Sequence, residues 1–87
     1  ANDLARYRIR VNAVAPGPTD TPMVKAVHAQ KDRALWMRHV PMRRYGTPDE
    51  IASVIEFLLD GTKSGYVTGE IVAADGGFRG AGIIAED

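Results

Sequence analysis

The residues best suited to chemistry stand together in one run, Pro16-Gly17-Pro18-Thr19-Asp20-Thr21. A glycine-bordered loop with hydroxyls can offer both hydrogen-bond donors and acceptors to a ligand that needs both. On residue types alone, the run is more simply a strand-ending turn. Pro cannot donate to a ladder, and Gly permits a sharp change of direction. Three further signals are formally present. Gly80-Ala81-Gly82-Ile83-Ile84-Ala85 fits a dinucleotide fingerprint, but only Glu86 and Asp87 follow it. That motif needs a helix and an acidic residue ~20 positions further on. His28 and His39 have no third ligand in register, so they read as surface histidines rather than metal ligands. Arg38, Arg43 and Arg44 form a small basic patch that could meet a phosphate or an acidic substrate, yet such patches are more often solvated surface. No metal site is assigned.

Such residues need a scaffold, and the bulk numbers bound it. Eighty-seven residues allow at most one small domain with a modest core. With 45% hydrophobic and 25% charged residues the chain is of globular composition. Eleven Lys plus Arg balance eleven Asp plus Glu, so no net field draws it to nucleic acid or to an anionic membrane. The absence of Cys excludes a disulfide scaffold and fits a reducing, cytoplasmic location. No apolar run approaches the ~20 residues that span a bilayer. Because the chain opens with Ala1 in what reads as mid-helix, its start is expected to be a truncation.

The positioning elements follow from periodicity. Residues 1–7 (ANDLARY) suit the last turns of an amphipathic helix, and Arg8 stands where a left-handed residue often ends one. RIRVNAVA, 8–15, has period two and then becomes apolar on both faces, as in a strand buried in a parallel sheet. Asn12 within it must find hydrogen bonds, which makes it a structural anchor between the strand and a neighbouring loop. Residues 22–39 start with a proline suited to a first helical turn and have a polar centre, predicting two short helices or one bent one. Thr47, Pro48 and Glu50 make a capping box for a helix whose apolar stripe is Ile51, Val54, Ile55, Leu58 and Leu59. Asp60-Gly61 stops it, a polar turn follows, and EIVAAD, 70–75, is a second strand ended by Gly76-Gly77. Helix end, strand, helical insert, helix and strand make a βαβ unit of α/β class, with parallel strands and a right-handed crossover. Two strands are not a domain, so the remaining sheet is expected in sequence before Ala1.

Three segments in order, RIRVNAVAPGPTDTPM, RRYGTPDEIASVIEFLLD and GYVTGEIVAADGG, resemble the C-terminal portion of short-chain dehydrogenases/reductases. The resemblance runs from about Ala1 to Gly77 and implies the C-terminal βαβ part of a doubly wound, Rossmann-like parallel sheet, here in residues 1–87. It implies an NAD(P)-dependent oxidoreductase of alcohol and ketone substrates, with NAD or NADP as cofactor. In such enzymes the loop after this strand meets the nicotinamide end of the cofactor, through backbone groups matching Pro16, Gly17 and Thr19 and a hydroxyl matching Thr21. Thr19 departs from the family's usual aliphatic residue. The insert 22–40 corresponds to a substrate lid, and helix and strand 47–75 to a subunit interface, which implies a homo-oligomer, tetramer or dimer. The Gly-rich phosphate loop and the catalytic Tyr-x-x-x-Lys pair are not in these residues. Tyr45 is followed four positions on by Asp49, and Tyr66 by Glu70. These residues alone are expected to be catalytically silent. A noncatalytic binding or assembly piece, or a pseudo-enzyme, is the alternative.

Overall fold

The computed structural model describes residues 1–27 and 30–80. His28 and most of the Gly80–Ala85 fingerprint lie outside the described residues. Two parallel strands, β1 (Ala13–Pro16) and β2 (Ile71–Ala74), pair in the register Ala13 to Ile71 through Pro16 to Ala74. The helices are α1 (Asn2–Ala5), α2 (Pro22–Val27), α3 (Gln30–His39), α4 (Pro48–Leu59) and the one-turn α5 (Gly61–Ser64). The order is that of a βαβ unit, with α2, α3, α4 and α5 between the strands.

The chain leaves α1 through Arg8, which adopts φ 63 in the left-handed region, as its position predicted. The first strand is shorter than its period suggested, because the ladder extends only from Ala13. Upstream, the backbone bonds to the loop before β2 instead of to a strand. Val11 N–H donates to Thr68 Oγ1 at 3.2 Å, and Gly69 N–H to Val11 O at 2.9 Å. Half-buried Asn12 is the anchor expected of it: Nδ2 donates to Val67 O at 3.1 Å and Oδ1 accepts from Glu70 N–H at 3.0 Å. β2 likewise runs one residue shorter at each end than 70–75, and at its C-terminal end Asp75 turns its carboxylate to the following backbone.

The 22–39 stretch forms two helices, one of the two predicted outcomes, but its polar run Gln30–Arg33 opens α3 instead of separating the helices. α4 carries the full capping box, with Thr47 Oγ1 accepting from Glu50 N–H at 3.2 Å and Glu50 Oε1 from Thr47 N–H at 2.9 Å. Asp60 ends α4 and at once caps α5 by accepting from Thr62 N–H at 2.9 Å, so a helical turn replaces the expected polar loop. Arg10 locks this corner: its guanidinium donates to Leu58 O at 2.9 Å, Ser64 O at 3.0 Å and Val67 O at 3.2 Å. Val40, Tyr45, Leu58 and Ser64 are buried. Ile55, Phe57, Leu59 and Ile71 stay exposed, so α4 covers the sheet with only part of its apolar circumference.

Candidate functional site

β1 and β2 end side by side, and the predicted site residues gather there. Pro16 closes β1 opposite Ala74, and Gly17 N–H donates to Ala74 O at 3.0 Å as a last rung. A Cβ on Gly17 would lie 2.7 Å from Asp75 Cα and 2.8 Å from Asp75 Cβ, so the strands approach too closely for any side chain. Thr19 folds its hydroxyl back onto Gly17 O at 2.8 Å. The loop is then zipped to the 45–46 connection, with Gly46 N–H on Pro18 O at 2.9 Å and Asp20 N–H on Gly46 O at 2.8 Å.

Thr21 sits immediately before α2, and its Oγ1 accepts from Val24 N–H at 3.1 Å. That is N-cap geometry, reinforced by Pro22 in the first helical position. The cap occupies one lone pair and leaves the hydroxyl proton to donate elsewhere. Pro16 as the last residue of β1, with Gly17, Thr19 and Thr21 on the loop after it, thus stand at the C-terminal end of a parallel strand, where ligands of open α/β sheets bind. The Gly17 N–H is committed to the ladder and does not serve a ligand.

Sequence reasoning missed what holds the surrounding loops. Gly76, at φ 63, is packed so tightly that a Cβ would lie 2.7 Å from Val40 Cγ1, and its carbonyl accepts from Met42 N–H at 3.0 Å. Asp75 caps that turn, accepting from Gly77 N–H and Arg79 N–H at 2.9 Å each. Paired glycines after a strand signalled a stop, but not that residues 40–42 would dock on them. The Trp36 and Phe78 rings meet at 6.0 Å, setting α3 against the same turn.

Two bidentate ion pairs frame the site. Arg33 donates to both carboxylate oxygens of Asp20 at 3.0 and 3.1 Å while lying 4.2 Å above the Tyr45 ring. The hydrogen bonds from Arg33 hold the Asp20 carboxyl below its ordinary value. Arg44 binds both oxygens of Glu50 at 2.8 Å. That pairing, followed by the Thr47 N–H, lowers the Glu50 carboxyl to about 2. Arg44 is therefore engaged with the α4 cap instead of standing open as part of a basic patch. Among the described residues, no group of three or more His, Asp or Glu side chains could hold a metal ion. A hollow of about 610 Å³ opens between α4 and the strand ends, lined by Ile51, Val54, Ala74 and Gly76 among others. None of Pro16, Gly17, Thr19 or Thr21 lines it.

Known proteins share this arrangement. A family model described as enoyl-(acyl carrier protein) reductase matches residues 1–79. Galactitol 2-dehydrogenase of Rhizobium johnstonii is 51% identical over 90% of this chain and 30% of its own length. A 3-oxoacyl-(acyl-carrier-protein) reductase of Thermotoga maritima is 46% identical over 90% of this chain and 31% of its own length. The crystal structure of a 3-oxoacyl-(acyl-carrier protein) reductase from Brucella melitensis superposes with a TM-score of 0.83 at 45% identity, covering 88% of this chain and 28% of that one. The chain therefore spans about 30% of the length of the curated relatives it matches. Matched across the strand, loop, capped helix and second strand that build the site, this chain belongs to the short-chain dehydrogenase/reductase family.

Proposed function

We propose that this chain is the nicotinamide-side part of an NAD(P)-dependent oxidoreductase that interconverts an alcohol and a ketone. The observation that carries the reading is the Thr21 hydroxyl: fixed by the α2 cap with its proton free to donate, on a loop beyond the ends of two parallel strands. A carboxamide needs a donor and an acceptor: the hydroxyl donates, and the carbonyls of Gly17, Pro18 and Thr19, each accepting one bond within the chain, keep a second lone pair for the amide. NAD or NADP supplies the hydride chemistry when bound. This chain's own residues bind and orient: Pro16 and Gly17 set the loop's exit, Thr19 fixes its curvature through Gly17 O, and Thr21 holds the ring's amide. Proton exchange with the substrate oxygen is assigned to residues outside this chain.

Residues 22–40 act as the substrate lid, excluding water once a small-molecule substrate is seated. Residues 47–75 form a subunit surface for a homo-oligomer, dimer or tetramer. Its support is the exposure of Leu59 at 77% and Ile71 at 57%, large apolar side chains that, in a chain spanning about 30% of its relatives' length, either the rest of the subunit or a second copy must cover. The same exposure supports the second reading, an assembly piece without catalysis. The two part on turnover. Whole protein offered NAD or NADP with a panel of secondary alcohols, and the reduced cofactors with ketones, is expected to oxidise or reduce members of the panel. Stable self-association without turnover of any member favours the assembly reading. The cytoplasm is the proposed location.

A further inference from the structure

We propose that Arg33 is a positioning residue that couples α3 to the loop carrying Thr21, so that the seating of α3 and the placement of the Thr21 hydroxyl are one event. The proposal rests on the reading of Thr21 given above. One guanidinium joins three segments. It donates to both Asp20 carboxylate oxygens at 3.0 and 3.1 Å, and it lies 4.2 Å above the ring of Tyr45, which is itself only 7% exposed. The Asp20 backbone is also fixed, its N–H donating to Gly46 O at 2.8 Å. Asp20 directly precedes Thr21, whose hydroxyl caps α2. Any movement of α3 that withdraws Arg33 removes the partner of the Asp20 side chain one residue from the cap.

The chemistry favours Arg over Lys here. A planar fork matches a carboxylate through two bonds and stacks on an aromatic face at once, and an ammonium does neither. Both side chains of the pair keep less than a third of their exposure, at 29% and 28%. Among the described contacts, the Trp36 and Phe78 rings provide α3's other tie to the strand ends, well away from Thr21. Arg33 is therefore a contact, among the described residues, through which α3 and the Thr21 loop sense each other. Coupling of this kind is reciprocal: a ligand that steadies Thr21 must steady α3 by the same factor.

Hydrogen exchange of the backbone amides of residues 30–39, read in the whole protein with and without NADH or NADPH, tests this. In the wild type, the cofactor is expected to slow that exchange. Arg33→Met and Asp20→Asn are each expected to speed it roughly two- to fivefold without cofactor, the range of a partly exposed ion pair. In both variants the slowing by cofactor is expected to shrink by a similar factor. The cofactor dissociation constant should rise in step, while kcat changes less than KM for the cofactor. Arg33→Lys is expected to behave like Arg33→Met. Unchanged exchange in the cofactor-free variants overturns the tie. Faster exchange with cofactor slowing intact overturns the coupling. A wild type that binds neither dinucleotide overturns the reading of Thr21, and the tie is then judged on the cofactor-free exchange alone.

Discussion

At Gly17 there is no room for a methyl group, since its Cβ would sit 2.7 Å from the Asp75 backbone. Gly17→Ala must push the strand ends apart or twist the loop, and overpacking of this kind costs about 1–3 kcal/mol. A urea titration is expected to show that loss as a lower midpoint, and an unchanged midpoint would mean that the strand ends part freely. Thr21 separates two roles carried by one atom group. Thr21→Val removes both the α2 cap and the donor, while Thr21→Ser keeps both. The Val variant is expected to lose about 1 kcal/mol of stability from the cap alone. The Ser variant should match the parent in calorimetry, and a Ser variant as unstable as Val would contradict N-capping.

Among the elements, α4 is built by its first turn. Thr47→Ala should cost about 1 kcal/mol in chemical denaturation, in the usual range for a lost N-cap. Glu50 adds a pH dependence. Its carboxyl is held at about 2 against an ordinary 4.5, mainly by Arg44. The folded state therefore keeps it ionised where the unfolded chain has already taken up a proton. Its contribution is complete above the ordinary value and is lost as pH falls from 4.5 toward 2. Glu50→Gln keeps the reach to Thr47 N–H but loses the charge. The stability gap between parent and variant is expected to narrow over that interval, and a gap constant with pH would contradict the ion pair. This helix was fully legible because its signals are local: a threonine, a proline and a glutamate within one turn, then a regular stripe. That residues 22–39 make two helices was legible, but the polar run Gln30–Arg33 that suggested it falls inside the first turn of α3 and did not locate the division. The start of β1, the one-turn α5, the Arg10 clamp and the Arg33 tie were not. All but α5, whose Asp60 cap is local and was read only as a helix stop, depend on a partner distant in the chain, as Arg10 on Leu58, and such contacts leave no period or spacing behind. The site was legible in part. Pro16, Gly17, Thr19 and Thr21 stood out as a loop, while the commitment of Gly17 N–H to the ladder needed the second strand.

For the whole molecule, the apolar faces that these 87 residues leave uncovered matter most, since the rest of the subunit or a second copy must cover them. Leu59 and Ile71 are 77% and 57% exposed, on the outer side of α4 and on β2. If that surface joins copies, Leu59→Lys with Ile71→Lys should lower the mass found by sedimentation of the whole protein, since a charge buried without a partner is strongly unfavourable. An unchanged mass would place the interface elsewhere. In the proposed function the Thr21 loop grips the nicotinamide end of a dinucleotide. Its most direct test is a calorimetric titration of the whole protein and its Thr21→Ser and Thr21→Val variants with NADH and with NADPH. One dinucleotide is expected to bind the parent and the Ser variant alike, and the Val variant about tenfold more weakly, as the loss of one hydrogen bond of ~1.4 kcal/mol implies. Equal binding by all three, or binding by none, would contradict it.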